Sequence, residues 1–231
     1  MTYNIYHGET MKGDFDLDYL AETIEQHQPD LVAMQEVDFK TQRAKGMDLV
    51  TELGYRLKMQ GVFGKAMSFD GGEYGEGVLS KFSFAKTQNF ALSCSEGKEP
   101  RAALAVWIQL PAGDTICFVG THLDHTKDPA DRITQAKELN QLFANPQYPT
   151  VLAGDLNASP DSKPIKTLKK QWKLTSGKNP EPTYSVENPR VKIDYIMTHK
   201  NHKWKVIETQ VIKDKIASDH CGYVVTLELE D

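Results

Sequence analysis

Polar side chains of the types that do chemistry recur where short apolar runs give way to loops. Asn4 stands in Thr-Tyr-Asn-Ile, Glu36 in Met-Gln-Glu-Val-Asp, and His122 in Gly-Thr-His-Leu-Asp-His. Asp155 and Asn157 share Gly-Asp-Leu-Asn, Asp194 follows Lys-Ile, and Asp219 and His220 close Ala-Ser-Asp-His. Carboxylates are hard oxygen ligands that suit Mg²⁺ or Mn²⁺. An imidazole, with a pKa of about 6.5, exchanges protons at neutral pH. A carboxylate accepting one ring N–H fixes the tautomer and leaves the other nitrogen free to act on water. Each run alone is weak, because a strand-end Asn commonly caps backbone and an isolated Gly-Asp-Leu-Asn is a turn.

The elements that must position these residues follow from periodicity. Leu17, Leu20, Ala21 and Ile24 fall on one helical face, so the spacing predicts a helix over 16–27 ended by Pro29. A second is expected over 47–53, closed by Gly54, and a third from Ala130 to Phe143, before Pro146. Strands are expected over 1–6, 31–35, 77–80, 102–110, 115–122 and 150–153, then 192–197, 205–212 and 223–229. The glycines between Gly71 and Gly77 read as a mobile rim loop. Strands outnumber helices, which favours two packed sheets with helices outside over a β/α barrel, as one domain over 1–231. Loops at one edge of such a sandwich can bring polar groups of both sheets together.

In order and company these motifs resemble the endonuclease/exonuclease/phosphatase superfamily, most closely its small bacterial phosphodiesterase and sphingomyelinase-like branch. Thr-Tyr-Asn, Gln-Glu-Val-Asp, Glu-Gly-Val-Leu-Ser-Lys, Thr-His-Leu-Asp-His, Gly-Asp-Leu-Asn, Lys-Ile-Asp-Tyr-Ile and Ser-Asp-His carry the match from Asn4 to His220. The resemblance implies a four-layer α/β/β/α sandwich of two mixed sheets flanked by helices, and phosphoester hydrolysis by water with a divalent cation, Mg²⁺ or Mn²⁺.

It also implies roles. Glu36 is the metal ligand, with Asn4 orienting it and Asp219 near the metal or a water of its shell. His220 is the catalytic histidine and Asp194 its carboxylate partner. Asp155 positions the attacking water and Asn157 the phosphoryl oxygens, leaving open whether Asp155 or His220 takes the proton. His122 donates to a phosphate oxygen, Arg101 is a phosphate-facing cation, and Glu76 takes the place of a carboxylate partner of His122, with an outward, solvated Glu76 as the alternative. Asp124 and His125 are expected in a turn near the pocket. His7, His27, His199 and His202 read as surface or cap residues.

Composition narrows the partners. Lys and Arg total 27 against 32 Asp and Glu, a net charge of −5, so the basic footprint of a duplex-binding protein is missing. A small phosphoester or a lipid headgroup is therefore expected over DNA or RNA, with a nuclease as the alternative and a non-catalytic binding module on the same fold as a weaker one. Cys94, Cys117 and Cys221 form no CxxC pair and no disulfide framework. No apolar stretch approaches the roughly 20 residues of a membrane helix, no phosphate-binding GxxxxGK[ST] loop or HExxH occurs, and a monomer is expected. The chain opens on a strand-like run, which points to a few residues missing upstream and leaves open a cytoplasmic protein or one exported after loss of a leader.

Overall fold

The computed structural model describes residues 1–177 and 179–230. Its elements run β1 (Thr2–Asn4), α1 (Leu17–Glu25), β2 (Leu31–Phe39), α2 (Leu49–Leu57), β3 (Gln60–Phe69), β4 (Gly72–Ser80), β5 (Phe84–Leu92) and β6 (Arg101–Gln109). They continue with β7 (Thr115–His122), α3 (Ala130–Leu142), β8 (Thr150–Asp155), α4 (Lys163–Leu168), β9 (Trp172–Leu174), β10 (Asp194–His199), β11 (Trp204–Ile212) and β12 (Gly222–Leu229). The strands form two six-stranded mixed sheets, β11-β12-β1-β2-β4-β3 and β5-β6-β7-β8-β10-β9.

Alternation of apolar side chains explains the layers. Leu104 and Val106 of β6 point into an inner core with Ala33, Val78, Phe118 and Ile196, between the sheets. Ala103 and Ala105 point outward onto Leu139 of α3 and Ile165 of α4. On the other sheet α1 lays Leu17, Leu20 and Ile24, and α2 lays Leu49 and Leu53, over Tyr3, Met34 and Leu79. This is the expected α/β/β/α sandwich.

Two expectations are corrected. Gly54 does not close α2, which runs on to Leu57 and is capped by Lys58 in the left-handed conformation. The glycine is there for contact, since a Cβ at Gly54 would lie 2.8 Å from Met59 O. Gly71 sits in the turn ahead of β4, but the rest of the glycine-rich segment, up to Gly77, is no mobile loop: it is strand, paired on both sides. A Cβ at Gly72 would run into Phe39 O, and one at Gly75 into Gly64 O, so these glycines admit close strand approach.

Strand direction gathers the polar residues. β1 is parallel to β2 and β7 to β8, so Asn4, His122 and Asp155 end their strands at one edge, where Glu36 also stands. β10 and β12 run antiparallel to these and start at that edge, with Asp194 and, just ahead of β12, His220. His122 pairs with Asp155 and Asp155 with Asp194, which puts three of the predicted residues on one rung of the sheet.

Candidate active site

Glu36 owes its position to a bulge. Met34 pairs with Gly77 and Val37 with Gly75, so Gln35 and Glu36 together oppose Glu76 alone. The extra residue re-aims a side chain, and Glu36 adopts φ 57°. Tyr6, His7 and Asn157 also have positive φ. All four line one cavity of about 580 Å³, and non-glycine residues in that conformation store strain that surrounding contacts must hold.

Asp155 is the hub of the cavity floor. Its Oδ2 lies 3.4 Å from Asn4 Nδ2, 3.4 Å from His122 Nε2 and 3.6 Å from His220 Nε2. Its Oδ1 accepts from the backbone N–H of Asn157 at 2.9 Å. Burial works against the Asp155 carboxylate, but His220, His122 and that N–H hold it far below the ordinary carboxylate range.

His220 Nδ1 lies 3.1 Å from both oxygens of the fully buried Asp194. Burial disfavours the imidazolium, yet the carboxylates of Asp194 and Asp155 outweigh it and push His220 up to about 10. Asp194 itself is raised by burial, with His220 opposing. The ring of Tyr184 lies 4.7 Å from that of His220.

His122 is fixed from the other side. Arg101 Nη1 lies 3.0 Å from His122 Nδ1, while His122 Nε2 faces Asp155 Oδ2 at 3.4 Å. Asn157 Nδ2 packs 2.9 Å from that nitrogen and donates to Leu123 O at 3.1 Å. Arg101 is buried, pairs with Glu99 at 2.9 Å and reaches His125 Nδ1 at 3.0 Å through Nη2.

Glu36 has the attributes of a cation ligand. Oε1 accepts from Asn4 Nδ2 at 2.9 Å, and the side chain keeps 25% of its surface open to the cavity. Burial opposes ionisation, but His7, His122 and Asn4 bring the Glu36 carboxyl down to about 2. Burial, helped by the Glu36 and Asp155 carboxylates and opposed by His220, pushes Asp219 up. A buried acid raised by two ionised carboxylates, beside an open oxygen ligand, fits a hard divalent cation. Ligand atoms of Asp155, Asp194 and His220 also fall within 4.8 Å of one another. Asp194 spends both oxygens on His220, so the open carboxylate at Glu36 is the better anchor.

The cavity wall thus contains Glu36, Arg101, His122, Asp155, Asn157, Asp219 and His220, with Asn4 and Asp194 directly behind. Glu76 departs from its expected place. It is neither solvated nor the partner of His122, whose Nδ1 faces Arg101; it is buried on β4 with Oε2 unpartnered. Burial, opposed by Arg101, pushes its carboxyl well above the usual range. Asp124 accepts from Thr126 in the expected turn, whereas His125 reaches the cavity.

His7, expected as a surface or cap residue, lines the cavity instead, as do Arg43 and Tyr184, which belong to no motif. His199 was expected at the surface and is buried against Trp172, ring centroids 5.0 Å apart. An Asp-Phe-x₃-Arg spacing after the bulge was the available signal for Arg43, which grips Asp38.

Comparison with known proteins agrees with this geometry. The family model for the endonuclease/exonuclease/phosphatase family matches residues 1–220. No curated protein sequence matches the chain. Among solved structures, a conserved protein of unknown function from Enterococcus faecalis superposes with TM-score 0.82 at 22% identity, covering 99% of this chain and 98% of that one. The mannosyl-6-phosphatase of Bacteroides thetaiotaomicron gives 0.78 at 18% identity over 99% and 98%. The human nocturnin catalytic domain with bound sulfate gives 0.71 at 20% over 97% and 94%. At such identities the structures share the fold alone. The match over nearly the whole length, on a sandwich with these strand-end residues, shows that the chain belongs to the endonuclease/exonuclease/phosphatase family, whose members are phosphoester hydrolases.

Proposed function

We propose that the protein is a divalent-metal-dependent phosphodiesterase acting on a small phosphoester by attack of water on phosphorus. The observation that carries this reading is the Asp155 hub, an ionised carboxylate set between His122, His220 and Asn4 on the cavity floor. The volume, about 580 Å³, is that of a small-molecule site. The net charge of −5 supports the same substrate size, since duplex binding draws its affinity from clustered Lys and Arg.

Glu36, with the Asn4 amide and Asp219, would hold Mg²⁺ or Mn²⁺, which supplies Lewis-acid charge neutralisation on the phosphoryl group. Asp155 orients the attacking water and takes its proton while the bond from phosphorus to the substrate's alcohol oxygen breaks, and the leaving alcohol takes a proton from solvent. His220 is already protonated near neutral pH, so it acts as a donor to the developing negative charge while Asp194 stabilises the imidazolium. His122 and Asn157 hold phosphoryl oxygens, and Arg101 packs against His122 Nδ1.

The test is a panel of phosphodiesters and phosphomonoesters with Mg²⁺ and Mn²⁺, beside calorimetry of cation binding to the parent and to Glu36→Gln. Bis(p-nitrophenyl) phosphate should release nitrophenol only with cation, and Glu36→Gln should weaken cation binding by about tenfold or more. Unchanged affinity would remove Glu36 from the metal site. Nicking of plasmid DNA without cleavage of any small diester would replace this reading with a nuclease.

A further inference from the structure

Between Glu36 and the edge where β3 and β4 lie over β6, the cavity continues into a wing that the hydrolytic roles leave unused. Its lining there includes Arg43, Met67, Phe69 and Tyr74 from the β2–β4 side, together with Glu99 and His125 beside Arg101. Arg43 is rigid there. Its Nε and Nη2 grip the two oxygens of the fully buried Asp38 at 2.7 and 2.8 Å, and Asp38 also accepts from Thr41 Oγ1. The guanidinium carbon lies 4.6 Å from the Phe69 ring centroid and 5.7 Å from that of Tyr74. Nη1 is the nitrogen outside this fork.

Two consequences follow for a ligand. The guanidinium already occupies the place over Phe69 and Tyr74 that would attract a quaternary ammonium, so a cationic headgroup would meet a like charge at close range. Each cation of the wing also answers a carboxylate, Arg43 to Asp38 and Arg101 to Glu99, so the wing offers donors and acceptors side by side instead of a net positive field. A hydroxyl both donates and accepts and so suits Arg43 Nη1, His125 and Glu99 together. The apolar face of a ring suits Phe69, itself 37% exposed.

We propose that this wing is the subsite for the alcohol portion of the substrate and that it selects a neutral polyhydroxylated ring over a cationic headgroup. The proposal rests on the phosphoester reading of the same cavity. The test compares two matched pairs with the full chain and Mg²⁺ or Mn²⁺: the diesters glycerophosphoinositol and glycerophosphocholine, and the monoesters hexose 6-phosphate and phosphocholine. The polyol member should lead by about tenfold in kcat/KM, expressed mainly in KM. Phe69→Ala should raise KM for the polyol ester. The paired replacement Asp38→Asn with Arg43→Met removes the cation without stranding a buried carboxylate. It should raise the efficiency on the choline ester by about tenfold, a gain that misfolding cannot produce. A parent that prefers choline, or shows no preference, overturns the subsite, as does a paired variant with no gain on choline. Hydrolysis of bis(p-nitrophenyl) phosphate with none of either polyol ester overturns the subsite and leaves the phosphoester reading standing. No hydrolysis of any phosphoester with either cation takes both down.

Discussion

The two ends of the sandwich are built from the same strands and hold cavities of similar volume, about 580 Å³ at the polar edge and about 520 Å³ at the opposite one. Their linings differ completely. The far cavity is walled by Leu31, Phe118, Val151, Ile196, Trp204 and Leu227, and the β11 bulge opposite Thr226 and Leu227 brings no charged group into the core there. Its positive-φ lining residue, Gln28, sits in the turn that follows α1. The polar edge buries Asp155, Asp194, Arg101, His122 and His220 and holds Tyr6, His7, Glu36 and Asn157 in the left-handed conformation. Desolvated charge and strained backbone both lower stability. The comparison teaches that the inner core shared by both ends offsets at the far end what the chemistry costs at the near one.

The largest expected effect lies at the hub. Asp155→Asn keeps the shape and the contact to the Asn157 N–H but removes the charge that faces His122 and His220. It should lower kcat on bis(p-nitrophenyl) phosphate by about 10³-fold, in the range of positioned proton-transfer groups. Circular dichroism and the unfolding midpoint should show a folded protein. Activity within a factor of a few of the parent would remove Asp155 from the mechanism.

The converse change is Phe118→Ala at the far end, where the ring is buried in the inner core. Truncating such a side chain costs about 3–5 kcal/mol. Measured by denaturant midpoint, the loss should be that large, while kcat/KM stays within about threefold because distant sites act independently. A catalytic loss matching the stability loss would show that the two ends are coupled and that the comparison is false.

The polar edge was legible because its residues end apolar strands in a fixed order, and strand ends can be read without knowing how the strands pair. The pairing itself could not be read. β3 and β5 are edge strands with half or more of their residues exposed, so Gln60–Phe69 and Phe84–Leu92 lack the alternation that marks a half-buried strand. Glycines in β4 look like flexibility in a sequence and prove to be close approach, a property of the neighbouring β2 and β3 backbones. Arg43 enters the site only because Asp38, beyond the bulge, turns inward to receive it. The Arg101–His122 contact joins two adjacent strands, and nothing local in either motif announces it.

Lys192 gives the smallest effect and the sharpest probe of the boundary between the two regions. It is 3% exposed, two residues before Asp194, with Nζ unpartnered by hydrogen bonds and 3.6 Å from the Tyr223 ring centroid in the inner core. Burial, partly opposed by Asp194, lowers it from 10.5 to about 8. Below pH 8 the lysine is charged in both folded and unfolded chains, and the folded one carries a charge it disfavours by an amount on the order of 3 kcal/mol. Between pH 8 and 10.5 the unfolded chain holds one more proton than the folded one, so this group makes stability rise with pH. Lys192→Met keeps the aliphatic packing and removes the charge. The variant should therefore be more stable than the parent by about 3 kcal/mol at pH 7, with the advantage shrinking as pH rises from 8 to 10.5. The comparison with the parent cancels the other groups that titrate in this window, among them His220, whose raised value makes stability fall as pH climbs from 6.5 toward 10. Denaturant midpoints taken at half-unit pH steps read the difference directly. An advantage that stays constant through the window would mean that Lys192 carries no disfavoured charge, and that the cost of chemistry at the polar edge stops short of the inner core.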